Sequence, residues 1–386
     1  MKRFKLSLRL NKLSPYLFAE IDNQKQRLRQ QGKALIDLSI GDPDILAPRG
    51  MLKVLCRSAR LKENQRYALD RGKYSLRGAI KRWFRKRFGV LLSEEREILP
   101  LIGSKEGLVH FPLAFVNPQD YIILPSPAYP GYQGAAILAG ARIYHLSLKE
   151  ENNFLPDLER IPLRIRNKAK IIYLNYPNNP TTVLAPPDFL KRVVSFCARY
   201  GIIVVYDNAY SEIYFGRKPL SILEIKGAKE IACEFHSFSK TFSMTGFRIG
   251  WACGNKKLID GLLKVKTNVD SGVFSALQDA AAYSLDKEEQ YVANLRKTIK
   301  RRRDIFLEGI KKLGFEKIWA ESTFYVWSKL PSKFHSSLSF CQLLLRKGVV
   351  STPGIGFGSN SDRFVRFALT VDFRQLKQAT ALMGRI

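Results

Sequence analysis

Four short apolar runs, Tyr121–Leu124, Lys170–Leu174, Ile202–Tyr206 and Ala232–Phe238, each stop at a cluster of polar residues, and segments of helical periodicity fill the gaps between them. The runs are rich in Ile, Val, Tyr and Phe and almost continuously apolar, as strands buried on both faces of a parallel or mixed sheet must be. The periodicity predicts helices over Ser104–Phe115, Pro187–Tyr200 and Gly272–Leu285, the second opening on a proline whose missing N–H costs nothing there. Alternation of this kind restricts the chain to the α/β class.

From about Glu288 the pattern changes to a long charged helix reaching roughly Leu313, then short strands around Thr323–Trp327 and Phe364–Ala368. A second, smaller α/β domain is implied. Its partner is an N-terminal helix, about Tyr16–Gln31, joined to the sheet domain through the turn-rich Gly41-Asp42-Pro43-Asp44. At 386 residues two or three domains are expected. The division is an arm and part of the small domain at 1–44, a large domain at 45–287 and a small domain at 288–386.

Composition bounds the partners. With 46% hydrophobic and 25% charged residues, and no Ser, Gln or Gly tract, the chain should fold throughout. No run approaches the roughly 18 apolar residues of a spanning helix, and Met1–Leu10 lacks the apolar centre of a secretory signal. A cytoplasmic protein without membrane partners is expected. The cysteines Cys56, Cys197, Cys233, Cys253 and Cys341 are scattered, without the close pairs of a zinc site or disulfide framework, so no metal is expected. The net charge of +30 raises the question of nucleic acid. The densest basic runs, Lys81–Arg87 and Lys297–Arg303, read as helices with solvated faces, and no appended DNA- or RNA-reading motif is present.

In open α/β sheets ligands sit beyond the carboxyl ends of the strands. Here those ends carry Ser126-Pro127-Ala128-Tyr129, Asn175-Tyr176-Pro177-Asn178-Asn179-Pro180-Thr181, Asp207-Asn208-Ala209-Tyr210 and Ser239-Lys240. Ser237 to Arg248 places hydroxyls before an amine and a guanidinium eight positions after it, which suits a phosphate anchored beside a Schiff-base lysine. Asp207 ends an otherwise apolar strand, where a carboxylate is costly unless paired, and a protonated pyridine nitrogen is a suitable partner.

On these motifs the chain resembles the class I/II pyridoxal-phosphate-dependent aminotransferases of fold type I over nearly its whole length. That resemblance implies a large domain with a mostly parallel seven-stranded sheet between helices. It implies pyridoxal 5'-phosphate held as a Schiff base by Lys240, the catalytic residue. Asp207 would pair with the pyridine nitrogen, Tyr210 and Asn179 would touch the ring oxygen, and Tyr129 would stack on the ring. Ser104, Lys105, Ser237 and Arg248 would form the phosphate cup. Tyr67, in Tyr-x-x-x-x-Gly-x-x-x-Leu-Arg ending at Arg77, would reach the phosphate of a neighbouring subunit, making the active unit a homodimer with shared sites. Arg366, with Asn179 and Gly41, would hold the substrate carboxylate. The family usually has Gly after Asn-Pro-Thr; this chain has Thr182, which implies strain or an altered loop. Gly354-Ile355-Gly356-Phe357-Gly358 lacks dinucleotide-site spacing and reads as a loop beside the substrate entrance.

Within the family, Pro15–Ile21, Gly41–Asp44, Leu101–Gly107, Asp207–Tyr214 and Lys266–Gly272 are similar to the LL-diaminopimelate aminotransferases. This implies transfer of an amino group from glutamate to tetrahydrodipicolinate in lysine biosynthesis, with Tyr16 and Asp70 at the substrate and Arg166 among the basic residues that steer it. The alternatives are an aspartate, alanine or aromatic aminotransferase, a β-lyase on the same fold, or, more remotely, a nucleic-acid-binding regulator that has kept the fold.

Overall fold

The computed structural model describes residues 4–13, 17–68, 71–315 and 317–385. Seven strands form the large sheet, in the spatial order Ile98–Leu101, Gly250–Gly254, Ala232–Ser237, Ile203–Asp207, Ala169–Asn175, Tyr121–Ser126 and Arg142–Ser147. All pairings are parallel except the two made by Gly250–Gly254. The four anticipated strands are present, each shifted by two residues or fewer at either end, while Ile98–Leu101, Arg142–Ser147 and Gly250–Gly254 carried no clear sequence signal. Helices cover both faces. One core cluster joins Ile172, Val204 and Trp251 to Phe84 and Leu190, and the other joins Ile171, Val205 and Phe235 to Phe111 and Ile259.

A separate apolar cluster unites Ile36 and Leu38 from near the N-terminus with Phe306, Val326, Phe367 and Met383 from the C-terminal quarter. Its four-stranded antiparallel sheet runs Thr352–Pro353, Phe364–Ala368, Tyr325–Lys329 and Ile318–Trp319, and Ile36–Asp37 pairs in parallel with Val349–Val350. Both chain ends therefore build this second unit. The 23-residue helix Glu289–Lys311 connects the units: Val292 packs in the large core, Leu295 and Ile299 beside Tyr210 and Tyr325, and Phe306 and Ile310 in the small core.

Both basic runs lie on helices whose Arg82, Arg85, Lys86, Lys297, Lys300 and Arg301 are exposed, as expected, but some of their charges are paired and one is buried. On the helix Tyr74–Phe88, Phe84 is fully buried and Trp83 packs edge-on against His236 and Trp251. Arg82 meets Asp286 at 2.7 Å, Lys86 meets Glu289 at 2.6 Å and Arg87 meets Glu212 at 2.7 Å. In the second run Arg302 is buried and grips both oxygens of Asp44 at 2.6 and 2.8 Å. Asp44 lies 258 residues away in sequence, so tertiary packing supplies a partner that local periodicity cannot reveal.

Candidate active site

A cavity of about 390 Å³ opens where the carboxyl ends of the central strands meet the small unit. Gly41, Ser104, Lys105, Tyr129, Asn179, Asp207, Tyr210, Ser237, Lys240, Arg248 and Arg366 all line it. Tyr67 does not; this residue is 91% exposed. Tyr16 and Asp70 lie outside the described residues.

Lys240 is presented by a single helical turn, Phe238–Thr241, entered from the end of the Ala232–Ser237 strand. Ser237 caps that turn, its hydroxyl accepting the Ser239 N–H at 3.2 Å. The Lys240 amine donates to the Gly41 carbonyl at 2.7 Å. Burial lowers its pKa to about 8; Arg366 and Arg248 push the same way, and Asp42 and Asp207 oppose them. An amine so poised is partly neutral, and therefore nucleophilic, near neutral pH.

Asp207 stands at the mouth of its strand, 6% exposed, with Tyr132 Oη donating to one carboxylate oxygen at 2.7 Å and the Ala209 N–H to the other at 3.1 Å. Burial raises its pKa, and the Tyr132 and Ala209 donors pull it back. Neighbouring strand ends are tied together by Asn175, whose amide donates to the Asp207 carbonyl at 2.8 Å and accepts the Asn179 N–H at 2.7 Å. The Tyr210 hydroxyl lies 3.1 Å from that of Tyr325, and burial keeps this phenol protonated by raising its pKa well above the ordinary value.

At the opposite end Gly103, at φ 75°, turns the chain from the Ile98–Leu101 strand into the helix Ser104–Phe115. A Cβ on Gly103 would lie 2.6 Å from Arg248 Nη2, so glycine serves both the turn and the approach of the guanidinium. The helix thus aims its first unpaired N–H groups, with Ser104 and Lys105, toward the space that Arg248 borders, an arrangement suited to an anion.

Arg366, 1% exposed, donates to Asn179 Oδ1 and to the Ser39 carbonyl, both at 2.7 Å, with its guanidinium 4.0 Å from the centre of the Tyr325 ring. The Gly354–Gly358 stretch forms a short turn beside this wall: the Phe357 carbonyl accepts the Ala128 N–H at 2.9 Å, and the Phe357 ring lies 4.8 Å from Arg366. Thr182 does adopt the left-handed conformation usual for glycine, φ 67°, and its Oγ1 accepts the Glu321 N–H at 3.3 Å. Arg166 sits in a different groove, engaged by the Ile161 and Glu159 carbonyls, Tyr200 and the Glu159 carboxylate. It does not line the cavity that holds Lys240.

Tyr132, Asn175 and Tyr325 went unnoticed in the sequence. Tyr132 reads as an ordinary apolar-face residue of the helix Gly131–Leu138, and Tyr325 as a core aromatic of its strand. Asn175 belongs to a recognised polar cluster, but nothing in that cluster marks it as the residue that ties two strand ends together.

A buried amine, a buried carboxylate and an anion-accepting helix terminus facing one cavity at the crevice of a mostly parallel sheet define a cofactor-assisted enzyme that works on amines. The chain belongs to the aminotransferase class I and II family, whose model matches residues 33–381, and its cofactor is pyridoxal 5'-phosphate. It is 48% identical to the LL-diaminopimelate aminotransferase of Aquifex aeolicus over 97% of both chains, and 44% identical to that of Maridesulfovibrio salexigens over the whole of both. Among solved structures, apo-BacF from Bacillus subtilis superposes with a TM-score of 0.96 at 33% identity, covering 99% of this chain and 98% of that one. Thermus thermophilus aspartate aminotransferase with maleate superposes with a TM-score of 0.93 at 27% identity, covering 99% of this chain and all of the other.

Proposed function

We propose that this aminotransferase moves the amino group of glutamate to tetrahydrodipicolinate, giving LL-diaminopimelate for lysine synthesis. The observation that carries the reading is full-length identity of 41–48% to relatives that all bear the name LL-diaminopimelate aminotransferase. The cavity fits pyridoxal phosphate on its own chemistry. Asp207 is a carboxylate buried at an apolar strand end, suited to a protonated ring nitrogen, and the Gly103 turn with Arg248 offers donors at a distance from it. Ser104, Lys105, Ser237 and Arg248 would hold the phosphate, Asp207 the ring nitrogen, Tyr210 and Asn179 the ring oxygen, and Tyr129 a ring face.

When bound, the cofactor supplies a carbonyl carbon that condenses with amines and a ring that accepts the electron pair left on the substrate α-carbon. Lys240 anchors it and, once released, takes the proton from the α-carbon on Nζ. Its hydrogen bond to Gly41 sets the amine beside the segment Ser39–Gly41 that also receives Arg366, so proton acceptor and carboxylate anchor share one support. Arg366 and Asn179 fix the carboxylate, which orients the α-hydrogen toward that amine. Tyr132, which donates to one Asp207 oxygen, would steady that carboxylate for the ring nitrogen.

We further assign the domain limits 1–44, 45–287 and 288–386, a cytoplasmic location, and a homodimer in which Tyr67 serves the neighbouring site. The exposed position of Tyr67 outside its own cavity supports the last of these. The deciding experiment pairs glutamate, aspartate and alanine as donors with tetrahydrodipicolinate and common keto acids. Transfer from glutamate to tetrahydrodipicolinate should dominate, and its absence would falsify the substrate assignment while leaving the family untouched.

A further inference from the structure

Lys266 ends the helix Lys256–Lys266 and is fully buried, an expensive position for an ammonium group. Two carboxylates receive it: Asp270 at 2.7 and 2.9 Å, and Glu106 at 3.5 Å. Nothing in the reaction itself calls on this group, which lies outside the cavity. A methionine would fill the same space at far lower cost, so the charge calls for its own account.

Glu106 supplies it. This residue is in the first turn of Ser104–Phe115, and its Oε2, the oxygen facing Lys266, also accepts the Ile102 N–H at 2.9 Å. The side chain therefore clasps the residue before the Gly103 turn to the helix that follows it, a variant of the reciprocal capping seen at helix starts. Its other oxygen lies 3.1 Å from His110 Nδ1, one turn along the same helix. Lys266 restrains the clasp from a separate element, and Asp270, whose Oδ1 also accepts the Gly272 N–H at 2.7 Å, holds Lys266 in turn. Gly250 closes the turn from below, since a Cβ there would lie 2.7 Å from the Ser104 nitrogen.

We propose that Lys266 is a positioning residue for the cofactor phosphate: through Glu106 it locks the Ile102–Gly103–Ser104 turn so that the helix N–H groups and Arg248 face the same point. The proposal rests on the reading of Ser104 and Arg248 as the phosphate cup. It explains why a lysine occupies a site where packing alone would favour an apolar residue. It also predicts an effect on holding the cofactor rather than on the chemical step.

The test is titration of apoprotein with pyridoxal phosphate, followed by absorbance, for wild type, Lys266→Met, Glu106→Gln and Arg248→Ala. Glu106→Gln keeps an oxygen for the Ile102 N–H but removes the charge that Lys266 pairs with. Lys266→Met and Glu106→Gln are expected to raise the cofactor Kd about tenfold or more. At saturating cofactor, kcat and the donor KM should remain within about twofold of wild type. Amide exchange at Ser104–Gly107 should quicken in both apo variants. A folded Lys266→Met with wild-type Kd overturns the proposal; if that variant does not fold, an unchanged Kd in Glu106→Gln does so instead. An unchanged Kd in Arg248→Ala overturns the phosphate-cup reading itself, and the proposal with it.

Discussion

The hydroxyl of Tyr132 donates to Asp207 Oδ2 at 2.7 Å, and both side chains are buried where the helix Gly131–Leu138 faces the end of the Ile203–Asp207 strand. This bond favours the ionised carboxylate against the burial that disfavours it. A hydrogen bond to a charged group is worth about 1.5–3 kcal/mol. Tyr132→Phe should therefore lower kcat/KM by about tenfold or more through a weaker ion pair with the ring nitrogen. Steady-state kinetics at saturating cofactor check this, and a variant with wild-type kcat/KM would show that Asp207 is held well enough by Ala209 alone.

The lowered pKa of Lys240 gives a pH dependence whose sign is fixed. Its folded value, about 8, lies below the ordinary 10.5, so between the two the unfolded chain binds more protons and apoprotein stability rises with pH. The contribution is smallest below about 8 and complete above 10.5. Capture of free cofactor requires the neutral amine, so its rate should climb through about pH 8 and then level off. Stopped-flow absorbance on apoprotein reads the rate directly; a rate still climbing steeply at pH 9.5 would mean that burial does not depress this amine. Lys240→Ala should show no covalent capture at any pH.

Arg366, proposed to hold the substrate carboxylate, donates to Asn179 and Ser39 and lies with its planar guanidinium against Tyr325. Lysine retains the charge but neither the fork nor the stacking. Arg366→Lys should lower kcat/KM about a hundredfold, mostly as a higher KM for the amino donor. A loss confined to kcat would place the arginine in the chemical step instead.

How far the sequence revealed this arrangement follows from where each signal lies. Asp207 was readable because a charge closes an otherwise apolar strand, whereas Lys240 and Asn179 were readable through the motifs around them, Ser237 to Arg248 and Asn-Pro-Thr, and the resemblance those motifs carry. The strand Arg142–Ser147 escaped notice because it is an edge strand with Arg142 and His145 exposed, so it lacks the continuous apolarity of its neighbours. Gly250–Gly254 begins and ends in glycine, which resembles a turn. Tyr132 and Lys266 were hidden for another reason. Their partners, Asp207 at 75 residues' separation and Glu106 at 160, are brought to them only by the assembled sheet and its covering helices.

Thr182 is a departure that could be seen in the sequence, and of the two outcomes expected, strain or an altered loop, its left-handed backbone at φ 67° gives strain. An L-residue there costs roughly 1–2 kcal/mol, whereas glycine loses roughly 0.5–1 kcal/mol more backbone freedom on folding. The Oγ1 contact to Glu321 is long at 3.3 Å and offsets little. Thr182→Gly should thus be stabilising by about 0.5 kcal/mol, visible as a slightly higher calorimetric midpoint with unaltered kinetics. A lower midpoint would mean that the Glu321 contact outweighs the relieved strain.

The position of Tyr67 makes the shared-site dimer testable without a structure of the assembly. Tyr67→Phe removes a hydroxyl proposed to act on the neighbouring subunit's phosphate, and Lys240→Ala removes the anchor within its own subunit; each homodimer should have little activity at limiting cofactor. In a hybrid of the two, one cavity combines the intact Lys240 of the first chain with the intact Tyr67 of the second, and the other cavity lacks both. Unfolding and refolding an equimolar mixture makes half of the dimers hybrids, each with one working site of two, so about a quarter of wild-type activity should return. Were Tyr67 to serve its own subunit, every hybrid cavity would carry one defect and mixing would restore nothing.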